Sequence, residues 1–136
     1  MKKILVTGQS SRFVKFLKKE LSNLEVFYPE KKKFNLLNFK QISHYIKKKK
    51  ITHLIHIAGL SRPMNVHDKN ISKSIDLNII GTANIVKSCA DNKVKLIYFS
   101  TNYVYPGISG NYKETDSLKP INNYAWSKLG GEAAVH

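Results

Sequence analysis

Four short apolar runs divide this chain, and amphipathic stretches fill the gaps between them. KKILV (2–6), EVFY (25–28, ended by Pro29), HLIHIAG (53–59) and VKLIYFS (94–100) are near-continuous in apolar residues rather than alternating. That is the pattern of strands buried on both faces of a parallel sheet. The intervening segments carry helical spacing: Phe13, Phe16, Leu17 and Leu21 in the first, and Ile42, Tyr45 and Ile46 in the second. The third, over 71–92, is predicted as one long helix with Ile75, Ile79, Ala83, Val86 and Ala90 as its buried stripe. Strand–helix alternation with right-handed crossovers gives an α/β fold, a doubly wound parallel sheet, and 136 residues suffice for one such domain. Sheets of this kind bind ligands beyond the carboxyl ends of their strands. The informative loops are therefore those starting at Gly8, Gly59 and Thr101.

A formal charge of +14 raises the question of a nucleic-acid partner. Arg12 and Arg62 are the only arginines, so 21 of the 23 basic residues are lysine, whereas nucleic-acid surfaces exploit the planar guanidinium fork. The excess is read as solvated surface, with Lys47 to Lys50 complementing a helix C-terminus, and no nucleic-acid partner is expected. The single cysteine, Cys89, permits no intrachain disulfide, which fits a reducing cytoplasm, and its helix position marks it as core. No apolar stretch reaches membrane-spanning length, so no membrane partner is expected. His53 and His56 lie three apart in a strand and point to opposite faces. They cannot share a metal, and both are read as structural.

The first loop, TGQSSRFV, follows a strand and opens a helix, where free backbone N–H groups and the helix dipole meet an anion. A dinucleotide fingerprint has three glycines; here Gly8 is present, and Ser11 and Val14 occupy the other two places. Ser11 still permits close backbone approach, while Val14 is bulky for tight helix–strand packing. Glu30 stands 22 positions after Gly8, near the spacing expected for a ribose-binding acid. Lys31, Lys32 and Lys33 follow at once and would suit a 2′-phosphate, which leaves NAD and NADP both open.

The sharpest signal is FSTNYVY (99–105) followed by YAWSK (124–128). Four-residue spacing stacks Tyr124 and Lys128 on one helix face. A phenol with a pKa of about 10 needs a nearby cation to work as an acid–base group at neutral pH. Ser100 and Thr101, at a strand end, could hold a substrate oxygen.

On these residues the chain resembles the extended short-chain dehydrogenase/reductase family, and within it the dTDP-dehydrorhamnose reductase-like sugar-nucleotide reductases and epimerases. FSTNYVYPG is similar to that group's S-T-D-Y-V-F-D-G, with Asn102 in place of the acid, and YKETDSLKPINNYAWSKLGGE is similar to the run that follows it. HIAG (56–59) and LNIIGT (77–82) extend the likeness. The resemblance implies a Rossmann-like NAD(P)-binding domain over 1–136 with NAD or NADP as cofactor. It implies Tyr124 as acid–base group, Lys128 as the cation that lowers its pKa and binds the nicotinamide ribose, and Thr101 on the reacting carbonyl ahead of Ser100. Gly8, Ser11 and Arg12 would surround the pyrophosphate, Ala58 and Gly59 would line the adenosine side, and Asn78 would support a water or the helix geometry. Hydride transfer would belong to the cofactor.

Members of that family continue past this helix into further strands and a C-terminal substrate domain. The expectation is therefore a domain truncated before its last strands, from a shortened reading frame or a split gene, ahead of a native minimal protein. Its partners would be a nucleotide-sugar substrate once completed, and a C-terminal half or a second copy. A non-catalytic nucleotide-binding or scaffold module with the same fold is the alternative.

Overall fold

The computed structural model describes residues 2–136. Each apolar run yields a strand: β1 (Lys3–Val6), β2 (Glu25–Phe27), β3 (His53–His56) and β4 (Lys95–Tyr98). They form one parallel sheet in the order β2-β1-β3-β4. Ile4 pairs with Val26 on one side and His53 on the other, and Leu54 pairs with Leu96. The strand order reverses at β1 and β3, so the crevice of a doubly wound sheet opens beyond the ends of these two strands.

The helices are α1 (Arg12–Glu20), α2 (Phe39–Lys49), α3 (Val66–Lys69), α4 (Ile71–Ile75), α5 (Gly81–Asp91) and α6 (Asn123–Val135). Side chains alternate across each strand, so the sheet feeds two cores. Leu5 and Leu54 pack with Ile42 and Ile46 of α2 and with Ile85 and Cys89 of α5. Ile4 and Val6 pack on the other face with Val14 of α1. Burial pushes the Cys89 thiol up to about 12, as befits a core residue.

Two stripes differ from the sequence reading. On α1 the fully buried residue is Val14, and Phe13 and Phe16 are exposed. The Phe13 ring lies 5.1 Å from that of Phe99 instead. Val14 is thus a core residue that the helix–strand contact accommodates.

The long helix over 71–92 is divided by a π-helical turn, Asp76–Ile80, between α4 and α5. Its buried side is Ser74, Asn78, Thr82, Ile85 and Cys89, one residue before the predicted stripe at every position, and Ile75 and Ala90 are exposed. The physical reason is close approach. The side that meets the sheet and the β3 loop holds small or hydrogen-bonded groups, whose partners a hydropathy pattern does not reveal.

Helix α6 packs on the same π turn through glycine. A Cβ on Gly131 would stand 2.7 Å from the Asn78 carbonyl oxygen, a backbone atom that cannot swing aside. Gly131→Ala is therefore expected to destabilise the fold by about 1–3 kcal/mol, although alanine is the better helix former. A lower urea midpoint at unchanged slope checks this, and an unchanged or higher midpoint would show that the contact relaxes freely.

Candidate functional site

The loop after β1 begins at Gly8, whose φ of 81° lies in the left-handed region that favours glycine. A Cβ there would come 3.0 Å from the Ala58 nitrogen, so the glycine also permits the loop to lie against the end of β3. Ser11 caps α1, its Oγ accepting the Val14 N–H at 3.1 Å. The other N–H groups of the first helical turn have no partner within the helix, and the positive end of its dipole lies there.

Thr7, just ahead of the glycine, joins the two loops. Its Oγ1 accepts the Ile57 and Ala58 N–H groups, each at 3.0 Å. With both lone pairs taken, its proton goes to Nδ1 of His56 at 2.9 Å. That network assigns the His56 proton to Nε2, which meets Thr82 Oγ1 at 3.2 Å. Desolvation, with the Lys128 charge as the smaller cause, lowers the fully buried His56 to about 3, so the ring is neutral. His56 is a structural bolt through the sheet. His53 lies 2.8 Å from Thr52 Oγ1 through its own Nδ1.

An open cleft of about 520 Å³ runs along these loops. Gly8, Ser11, Ala58 and Gly59 all line it. A second cavity of about 150 Å³ is lined by Ser100, Tyr124 and Lys128, and shares Ile57, Gly59 and Ser61 with the first. The two are neighbours that share this wall, one at the Gly8 loop and the other at the start of α6. The arrangement fits a dinucleotide: a glycine cradle that a Cβ would obstruct, a helix N-terminus for a pyrophosphate, and polar groups at the far end.

Asn122 caps α6 by accepting the Ala125 N–H at 2.8 Å, which starts the helix so that Tyr124 and Lys128 reach the second cavity. The Tyr124 ring packs 5.0 Å from His67 and 6.0 Å from Tyr103. Lys128 is only 7% exposed. Its Nζ donates to the Phe99 carbonyl at 2.7 Å and sits 4.2 Å from the centre of the Tyr98 ring. Burial lowers its pKa to about 8, with Glu132 opposing, so the amine remains a cation at neutral pH. Burial raises the Tyr98 phenol, which keeps that ring neutral beside the cation.

Ser100 Oγ is buried with no hydrogen-bond partner and lines the second cavity. Thr101 lines neither cavity; its Oγ1 accepts the Tyr103 N–H at 3.3 Å and caps a short 3-10 turn, Asn102–Val104. Arg12 is an exposed first residue of α1 outside both linings.

Asn78 also lies outside both linings and is buried. Its Oδ1 accepts the Leu60 N–H at 2.7 Å, and its Nδ2 donates to the Leu60 carbonyl at 2.8 Å and Ser127 Oγ at 2.9 Å. Ser127 Oγ donates in turn to the Tyr124 carbonyl at 2.7 Å. Asn78 thus ties the β3 loop to the start of α6. Thr7, Thr82, Tyr98 and Ser127 support the site from below, and no spacing rule in the sequence singles them out.

A family model for the RmlD substrate binding domain matches residues 1–136. A dTDP-4-dehydrorhamnose reductase from Bacillus anthracis, solved in complex with NADP, superposes with a TM-score of 0.91 at 29% identity, covering 99% of this chain and 49% of that one. A hypothetical dTDP-4-dehydrorhamnose reductase from Sulfolobus tokodaii gives 0.90 at 29% identity, covering 97% of this chain and 51% of that one. The methionine adenosyltransferase 2 subunit beta of Bos taurus is 33% identical over 107 residues, 79% of this chain and 32% of that protein. The chain therefore spans about half the length of the two reductases and about a third of the subunit. With the model matched from first residue to last and the same parallel sheet in its neighbours, this chain belongs to the RmlD substrate binding domain family, whose N-terminal Rossmann-like half it represents.

Proposed function

We propose that the chain is the NAD(P)-binding and proton-transfer half of an oxidoreductase or epimerase acting on a nucleotide-linked sugar. The observation that carries this is the adjacency of the two cavities: the cleft at Gly8 shares Ile57, Gly59 and Ser61 with the cavity lined by Ser100, Tyr124 and Lys128. Gly8 and the start of α1 would hold the pyrophosphate, and Ala58 and Gly59 would line the adenosine. When bound, the dinucleotide supplies or accepts the hydride. Tyr124 passes a proton to or from the sugar oxygen. Lys128, one helical turn further along α6, lines the same cavity as that tyrosine. Ser100, whose hydroxyl has no protein partner and which lines the second cavity, is the group that holds the reacting oxygen. The sugar nucleotide is held by a C-terminal half or by a second chain. The NADP complex of the Bacillus anthracis reductase supports the cofactor assignment.

A second reading, a nucleotide-binding module without turnover, is favoured by the 33% identity to a protein named as a subunit of methionine adenosyltransferase. Joining this chain to the C-terminal half of a dTDP-4-dehydrorhamnose reductase separates the two. Turnover of a dTDP-sugar supports the first reading, and cofactor binding without turnover supports the second.

Both readings need a cofactor site, and a thermal melt of the 136-residue chain tests it. A ligand at 100 times its dissociation constant adds about 2.7 kcal/mol, roughly 10 °C for a domain of this size. NADH or NADPH is expected to raise the midpoint by that order. A cooperative melt that neither cofactor moves would refute both readings.

A further inference from the structure

Every strand of a parallel sheet starts at the same end, and each connecting helix brings its carboxyl end back there. The amino-terminal pole of this sheet therefore gathers residues that are scattered in the sequence. Hydrogen bonds tie the strand starts together: the Thr52 N–H donates to the Lys3 carbonyl at 2.9 Å, and the Lys95 N–H donates to the Thr52 carbonyl at 3.0 Å. The ends of α1 and α2 deliver Lys19, Lys47, Lys48 and Lys50 to this pole, and the starts of β1 and β4 add Lys2, Lys93 and Lys95. All seven are exposed, and among the described residues none of them is in an ion pair. Lys3 is paired with Glu25 at 3.2 Å, and Lys18 and Lys49 turn onto the Tyr28 and Phe27 rings at 4.9 and 5.3 Å. In the same junctions the exposed acids are Glu20 and Asp91. The helix dipole accounts for Lys19, Lys47 and Lys48 but not for Lys2 and Lys95, which belong to no helix.

This pole suits a flat anionic surface better than a nucleic acid. Both arginines lie at the crevice end, Arg12 opening α1 and Arg62 following β3. Helix carboxyl ends present carbonyls, not the N–H groups and guanidinium forks that fix nucleic-acid phosphates in register. A lipid headgroup layer needs only point charges within a Debye length. Leu24, in the turn before β2, is 50% exposed at the same pole and adds an apolar contact. Among the described residues no helix is long and apolar enough to cross a membrane, which bears on insertion and not on surface contact. We propose that the lysine pole is a docking surface for anionic lipid headgroups. The crevice, beyond the opposite ends of the strands, then faces away from the membrane. This docking depends on the fold alone and not on what the crevice binds.

The test is co-sedimentation of the whole 136-residue chain with vesicles of phosphatidylcholine alone, or with about one-third phosphatidylglycerol, at low and moderate salt. Binding is expected to the anionic vesicles only and should weaken as salt rises. Lys47→Gln/Lys48→Gln/Lys95→Gln is expected to lower affinity about 100-fold, at roughly fivefold for each lysine. Lys2→Gln/Lys93→Gln/Lys95→Gln, outside the helices, should give a loss of the same order. Lys33→Gln/Lys113→Gln/Lys119→Gln removes equal charge from exposed sites in the crevice-end loops and should bind within about threefold of wild type. All the substituted side chains are exposed, so the three variants should melt close to wild type, and melts without vesicles verify this. Absence of binding to anionic vesicles at low salt, or equal losses in the pole and crevice-end variants, would overturn the assignment. A DNA duplex that binds more tightly than the vesicles, and loses affinity in the pole variants, would make this a nucleic-acid face and overturn it as well.

Discussion

Tyr124→Phe is expected to lower turnover about 1,000-fold in the chain joined to a reductase C-terminal half, with cofactor affinity unchanged. Removing one oxygen leaves the ring packed on His67 and Tyr103, so the local fold survives. The groups assigned to the dinucleotide lie in the Gly8 and Ala58 loops and are untouched. What disappears is the one phenol on the wall of the second cavity. Positioned acid–base groups contribute about 10² to 10⁴ in rate, so the loss should fall in turnover number rather than in KM for the cofactor. Dinucleotide oxidation by wild type and variant, beside a binding titration, measures both quantities. A variant that turns over like wild type would remove Tyr124 from the chemistry and leave Ser100 to be tested in its place.

The second large effect is on stability, and its sign runs against intuition. Lys128→Met is expected to stabilise the protein at pH 7 while impairing catalysis. Burial lowers the folded pKa of Lys128 from 10.5 to about 8, so the unfolded chain holds this proton more tightly than the folded one. Between those values the unfolded state binds more protons, and stability rises with pH. The cost of burying the charge is therefore fully present below about pH 8 and gone above the unfolded pKa. Each tenfold change in proton affinity is about 1.4 kcal/mol, which puts the cost at up to about 3 kcal/mol. The carbonyl of Phe99 and the Tyr98 ring offset part of it. Denaturant midpoints of both proteins at pH 7 and near pH 10.5 decide the matter. Methionine should be ahead at pH 7, and the gap should close at the higher pH. A less stable methionine variant at pH 7 would mean that the Phe99 and Tyr98 contacts outweigh desolvation. The expected result would mark Lys128 as a residue whose presence reduces stability in favour of its proposed role beside Tyr124.

Legibility in the sequence followed the range of the physics involved. Alternation of apolar runs with helical spacing determined the parallel sheet and the three informative loops, because these depend on period and polarity along the chain, but the expected cover on both faces fails at β4, where Ile97 is exposed. That Tyr124 and Lys128 line one cavity was readable for the same reason, since four residues make one helical turn. Tertiary structure alone decided the rest. It turned α1 so that Val14 rather than Phe13 meets the sheet, and it set a polar stripe of Ser74, Asn78 and Thr82 against the sheet and the β3 loop. Partners distant in sequence set that stripe: Thr82 meets His56, and Asn78 meets Leu60 and Ser127. It likewise moved Glu30 off the cleft and Lys31 onto its wall through one turn, a choice that the string PEKKK leaves open. Periodicity reports which side of an element is apolar. Only packing determines which side lies close enough to another backbone that hydrogen bonds and glycine, rather than hydropathy, select the residue.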